Sequence, residues 1–309
     1  MSASSAVPFV YLGTSDFAAS VLEDLAGSPH TPALVVTPPD RRSGRGRRVS
    51  PPPVADAARD LGIELHQTSS VNEDASRKVI RASGAGLGVV CAFGQLIGAD
   101  LLGELPMLNA HPSLLPRWRG AAPVERSIMA GDTSTGTCVM RLTEGLDSGP
   151  VALREETAIG DTDTYGSLAP ALAGLSGRLL IEALDLEAAG QLESRFAEQP
   201  EDGVTYAEKI EREDRLVDTS RTAAEEDRRI RALTPHIGAA VELSDGERLG
   251  LRSGGVAADG PARGAFAESE GELLLGCAEG AVRVGELQPA GGRWMLASDY
   301  LRGRGVPTP

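Results

Sequence analysis

The sequence is poor in cysteine, lysine and aromatic residues, and each scarcity closes a class of function. Cys91, Cys138 and Cys277 are three thiols, odd in number and far apart. No C-x-x-C pair or histidine cluster accompanies them, so neither a disulfide framework nor a metal site is supported. Only Lys78 and Lys209 are lysine, and neither follows glycine. The motif G-x-x-x-x-G-K-[ST] is therefore missing, and a P-loop nucleotide hydrolase is excluded. The opening MSASSAVPFVYLG lacks a basic stretch, and its apolar run is too short for a secretion signal. No run approaches the roughly 20 apolar residues of a membrane span. A cytoplasmic protein without a membrane partner is expected. Positive charge is also in deficit: 30 Lys+Arg against 44 Asp+Glu leave a formal net charge of −14. A surface of that sign repels phosphates, which excludes indiscriminate binding to nucleic acid or anionic lipid.

What is present describes a folded α/β chain. At roughly 100–200 residues per domain, the length suggests two domains. Apolar runs at residues 7–12, 33–37, 88–92 and 137–142, with a brief one at 151–153, read as strands. Between the first two, Phe17, Val21, Leu22 and Leu25 recur at helical spacing behind the capping candidates Thr14 and Ser15. Strands alternating with helices imply a mostly parallel sheet covered on both faces, with ligands beyond the carboxyl ends of its strands. The leucine-rich residues 165–189 read as one or two helices closing a domain at residues 1–190. Residues 191–205 have the polar, Pro- and Gly-bearing composition of a linker. In 206–309 a helix around 223–233 precedes short runs at 239–243, 248–252, 272–275 and 282–287, separated by glycines, which suggests a small antiparallel barrel.

The densest polar signal is NAHPSLLPRWRG, residues 109–120. If its start is extended, the period of two puts Asn109 and His111 on one face, an amide donor beside a group that can take or give a proton. The bland alternative, a turn-capping Asn and a satisfied half-buried His, is weighted about equally by the residues alone. Asp147 lies between Gly145 and Gly149 in a loop after the run at 137–142, where its carboxylate could orient an imidazole or merely bond its own turn. Gly13 opens a strand-to-helix turn without the further glycines of a dinucleotide fingerprint, so NAD is not supported. Against the acidic background, five arginines crowd into the eight residues 41–48 beside Gly44 and Gly46. An anionic partner explains that density better than a solvated loop does.

Taken together, NAHPSLLPRWRG, the loop TEGLDSGP, the opening FVYLGTSDFAASVLEDL, the arginine loop and GVTYAEKIEREDRLVD resemble the folate-dependent formyltransferases. The closest resemblance is to the branch that formylates initiator Met-tRNA. It implies a Rossmann-like catalytic domain at 1–190, a linker at 191–205 and an OB-like barrel at 206–309 that helps hold tRNA. It places Asn109, His111 and Asp147 in catalysis, with 10-formyltetrahydrofolate as formyl donor, tetrahydrofolate as product and no metal. Folate contacts would fall on Phe93, Gly94, Gln95, Leu96 and Ile97, on Ser113, Leu114, Leu115 and Pro116, and on Glu144, Gly145 and Leu146. Contacts to tRNA would come from Arg41, Arg42, Arg45, Arg47 and Arg48, with Arg45 foremost. A monomer is expected. Two departures stand out: Trp118 where the family commonly has Tyr, and RALTPHIGAAVEL near residues 231–243 where it tends to have Asn-Pro-Trp-Pro. The rival readings are a sugar- or nucleotide-directed formyltransferase, a hydrolase of the formyl donor, and a catalytically silent tRNA-binding relative.

Overall fold

The computed structural model describes residues 7–43, 48–244 and 246–308. The chain forms two compact units, the first from residues up to 120, 135–157 and 169–206, the second from 121–134, 158–168 and 207 onward.

The first unit is built on a seven-stranded sheet. Its spatial order is Val151–Ala158, Ser134–Arg141, Met107–His111, Leu87–Cys91, Phe9–Gly13, Leu34–Thr37 and Leu65–Gln67. The last five of these run parallel, whereas Ser134–Arg141 is antiparallel to Met107–His111. Strands buried on both faces must be apolar throughout, and Phe9, Val10, Tyr11 and Leu12 are all fully buried. The mostly parallel α/β sheet expected from the sequence is thus present. Chain order reverses between Phe9–Gly13 and Leu87–Cys91, so the crevice of such a sheet opens beyond the carboxyl ends of those two strands. Helix Asp16–Ala26 follows the first strand, with Ser15 Oγ accepting the Ala18 amide as its cap.

Helix Tyr165–Ala188 has 24 residues and, by length and composition alone, could cross a membrane, which the sequence reading did not anticipate. Its Leu172, Leu180, Ala183 and Leu184 are buried in protein instead, as in a core helix. The arginine-rich segment forms a two-stranded antiparallel ribbon, Arg41–Ser43 with Arg48–Ser50. Pro38 and Pro39 precede it and Pro51–Pro53 follow, fixing φ at both stems.

The second unit carries a six-stranded antiparallel sheet. Its path runs Ala239–Glu242, Arg248–Ala257, Ala281–Gln288, Glu272–Gly276 and Phe266–Ser269, with Met295–Leu296 added on Ala281–Gln288. The register shifts between Arg252 and Gly255, where the two longest strands bend together. Helix Ala223–Leu233 starts at a capping box of Thr222 with Glu225 and buries Ile230 and Leu233 against Leu249, Leu273 and Val282. The expected antiparallel second domain is therefore also present.

Candidate active site

Asn109 and His111 sit on the strand Met107–His111 beside the reversal of chain order, two residues apart and so on one face. Both are buried, at 8% and 4% exposure. His111 Nε2 lies 2.8 Å from the carbonyl oxygen of Trp118. A carbonyl can only accept, so Nε2 carries the hydrogen of this bond and Nδ1 lies on the other side of the ring. That side faces Asp147, whose Oδ2 is 3.7 Å from Nδ1 and accepts the Gly120 amide at 2.9 Å. The Asn109 carboxamide has no hydrogen-bond partner among the described residues. The site thus holds an unengaged amide donor next to an imidazole and a carboxylate poised around one proton.

Asp147 reaches this position by a route the sequence did not suggest. Its strand, Ser134–Arg141, is antiparallel to the strand of His111, so the chain leaves the sheet at the far end, where the Leu142 amide bonds the Met107 carbonyl at 2.8 Å. The loop then doubles back along the strand to set Asp147 against His111. Gly149 makes that path possible: a Cβ there would lie 2.0 Å from the Arg141 carbonyl oxygen. Of the four non-glycine residues with positive φ among the described residues, three border this site: Ala92 (41°), Trp118 (63°) and Asp147 (43°). Backbone strain gathered in one place is held there by its surroundings.

The remaining site residues named from the sequence divide by orientation. The loop 93–97 follows Leu87–Cys91 at the reversal of chain order, and Thr14 Oγ1 donates to the Phe93 carbonyl. Phe93 points into the core, Gly94 takes φ +74°, and Gln95 bonds the backbone of Thr68 and Val71. Leu96 projects outward at 85% exposure, while Ile97 packs partly buried. Ser113 and Leu115 are buried, the first donating to the Arg117 carbonyl and the second packing on Cys138 and Met140, whereas Leu114 and Pro116 are partly exposed. Glu144, Gly145 and Leu146 are exposed in the doubled-back loop. Arg41 is exposed at the foot of the ribbon. Arg42 and Arg48 are described by their backbone only, and Arg45 and Arg47 lie outside the described residues.

Sequence reasoning missed Gly120, Thr205 and Gln199. Thr205 Oγ1 accepts the Trp118 amide, and its carbonyl accepts the Arg119 amide. Gln199 Nε2 donates to the carbonyls of Asp147 and Gly149. Nothing in the polar stretch QLESRFAEQPEDGV marks Gln199, whose partners Asp147, Gly149 and Arg119 lie 50 to 80 positions away in sequence. All three cysteines are buried, and burial pushes the Cys91 thiol up to about 12 and those of Cys138 and Cys277 up to about 11.

Residues 7–184 match the family described as formyl transferase, and residues 209–305 match the formyl transferase C-terminal domain. The chain is 41% identical over 298 residues to a methionyl-tRNA formyltransferase of Dechloromonas aromatica, covering 95% of each chain. It is 39% identical over 304 residues to one of Halorhodospira halophila, covering 97% of each. Among solved structures, HypX of Aquifex aeolicus in complex with tetrahydrofolic acid shares the fold with a TM-score of 0.64 at 16% identity, over 99% of this chain and 49% of that one. An N-formyltransferase of Helicobacter canadensis, in complex with folinic acid and dTDP-3-aminofucose, does so at 0.62 and 12% identity, over 90% and 98%.

Proposed function

The chain belongs to the methionyl-tRNA formyltransferase family, and from that premise we propose that it transfers the formyl group of 10-formyltetrahydrofolate to the α-amine of methionine on initiator Met-tRNA, leaving tetrahydrofolate. The observation that carries the reading is the Asn109 amide, without a partner among the described residues, beside the Asp147–His111 pair. When the amine attacks the formyl carbon, negative charge grows on the formyl oxygen. Asn109 is the donor for that oxygen, and its hydrogen bond strengthens as charge develops, so it favours the transition state over the ground state.

The attacking nitrogen must lose a proton and the departing folate nitrogen must gain one. His111 Nδ1 and the Asp147 carboxylate lie either side of a gap into which such a proton fits. His111 supplies a donor of its own toward the site only after Nδ1 has taken a proton, because its Nε2 hydrogen is engaged by Trp118. No covalent intermediate on the protein is required, and the buried Cys138 takes no part.

The donor fits the residues present. Leu96 and Leu146, at 85% and 62% exposure, offer apolar surface to a flat heterocycle from the two loops that frame the site. The backbone of those loops, residues 93–97 and 144–146, would supply its polar edges, and Leu114 and Pro116 its remaining wall. The tRNA is gripped by the arginine ribbon. Arg41, Arg42, Arg47 and Arg48 would contact backbone phosphates, with Arg45 the foremost tRNA contact, assisted by residues 206–309. The enzyme acts as a cytoplasmic monomer.

One assay separates this reading from its rivals. The protein is supplied with 10-formyltetrahydrofolate and either initiator Met-tRNA, an amino-sugar nucleotide, or no acceptor. Formylmethionyl-tRNA is expected, with little donor consumed in the other arms. Equal consumption without any acceptor would mark a hydrolase, and preference for the sugar nucleotide would move the enzyme to the sugar-directed branch.

A further inference from the structure

The Asp147–His111 pair is held from outside by one side chain. Gln199 Nε2 donates to the carbonyl oxygens of Asp147 and Gly149, each at 2.8 Å. Its Oε1 accepts from Arg119 Nε at 3.0 Å and from the same guanidinium's Nη2 at 2.8 Å. Both amide hydrogens and both oxygen lone pairs are thereby used. The carbonyls can only accept and the guanidinium can only donate, so the amide has one possible orientation.

These four bonds join two loops that the catalytic pair depends on. One is the doubled-back loop, where Asp147 adopts φ +43° and has no regular secondary structure to support it. The other is the segment 117–120, whose Trp118 carbonyl fixes the His111 ring and whose Gly120 amide holds Asp147 Oδ2. Gln199 itself is anchored on both sides. Ala197 exchanges two backbone bonds with Val151, and Thr205 binds Trp118 and Arg119. The guanidinium polarises the amide it binds, which strengthens the two N–H bonds on the opposite end.

We propose that Gln199 is a positioning residue for the formyl transfer: it sets the distance between Asp147 and His111 by tying the Asp147 loop to the Trp118–Gly120 segment. The proposal rests on the functional reading above for the identity of the reaction, though not for the clamp itself.

Gln199→Glu separates the two halves of the contact. A carboxylate of nearly the same shape keeps both Arg119 bonds but cannot donate to the Asp147 and Gly149 carbonyls. With initiator Met-tRNA and the formyl donor, kcat should fall about 10- to 100-fold, the range for a small displacement of catalytic groups, with both KM values little changed. In an Asp147→Asn background the same change should cost almost nothing further, because the two positions act as one unit.

A readout independent of activity is hydrogen exchange at the Gly120 amide, which Asp147 Oδ2 protects. In Q199E it should speed up about fivefold, as expected when a net hydrogen bond of roughly 1 kcal/mol is lost. The Arg119 amide, bonded to Thr205, should keep its protection. Should Q199E fail to fold, Gln199→Leu is measured in the same way. Unchanged Gly120 exchange, wild-type kcat, or additive losses in the double variant would each overturn the proposal. A wild-type protein that formylates no Met-tRNA would overturn the functional reading instead, and Gly120 exchange would still decide the role of Gln199.

Discussion

At the scale of single residues, the proposed site leaves a few polar groups unengaged while fixing their neighbours. Among the described residues Asn109 has no partner for its amide, whereas His111, Ser113, Gln95 and Thr14 are all tied to backbone carbonyls. Asn109→Ala should therefore lower kcat by about 10²–10³-fold, the usual cost of one oxyanion donor, with tRNA affinity intact. Near-normal turnover would remove Asn109 from the mechanism. Asp147→Asn keeps an oxygen for the Gly120 amide but removes the charge and the proton acceptor beside Nδ1. A loss of about 10²–10⁴-fold in kcat is expected, measured under single-turnover conditions so that product release does not mask it. The sequence made Asn109 and His111 legible because period-two spacing is a local property of one strand. It could not reveal that the Nε2 hydrogen is spoken for, since the Trp118 carbonyl reaches His111 through a left-handed residue in a loop.

At the scale of elements, glycines set how closely strands and loops approach. A Cβ on Gly149 would meet the Arg141 carbonyl oxygen at 2.0 Å, and one on Gly136 would meet the Glu155 carbonyl oxygen at 2.1 Å. Gly149→Ala should displace the Asp147 loop and abolish most turnover. Gly136→Ala forces two neighbouring strands to shift and should destabilise by about 1–3 kcal/mol, read from the urea midpoint. A denaturation midpoint unchanged by Gly136→Ala would contradict the packing described. Much of the element order is legible in the sequence for a physical reason: the central parallel strands are buried on both faces and so appear as unbroken apolar runs at 7–12, 33–37 and 88–92. The edge strand Leu65–Gln67 is invisible by the same logic, because half-buried His66 and Gln67 need no apolar pattern. The arginine ribbon is hidden too, since backbone pairing of polar residues leaves no apolar pattern in the sequence. The direction of Ser134–Arg141 could not be read either, for an alternating strand looks the same run both ways.

At the scale of the whole molecule, charge governs partner choice and acid sensitivity. A chain of net charge −14 that concentrates arginine in one ribbon should bind tRNA with strong salt dependence, and replacing Arg45 or Arg41 by Ala should flatten the slope of log Kd against log salt by roughly one each. In the second unit, the Arg126 guanidinium bonds both oxygens of Asp214 at 2.9 and 2.8 Å and, together with the Glu211 amide, holds its carboxyl below the ordinary range. A lowered carboxyl value stabilises the fold above the unfolded value near pH 4, and that contribution disappears as pH falls through the folded value. Asp214→Asn should thus lower Tm at pH 7, and the gap to wild type should close in acid; a gap independent of pH would rule out the charged pair as its source. The side chains of Leu96 and Leu146 carry a last consequence. Left bare, they are sticky surface, to which an environment-sensitive dye should adhere. Folate should displace that dye, and at about a hundredfold excess over its dissociation constant should add roughly 2.7 kcal/mol to the fold. The abundance of a metabolite would then set how long the enzyme survives heat, coupling its lifetime to the one-carbon supply it draws on.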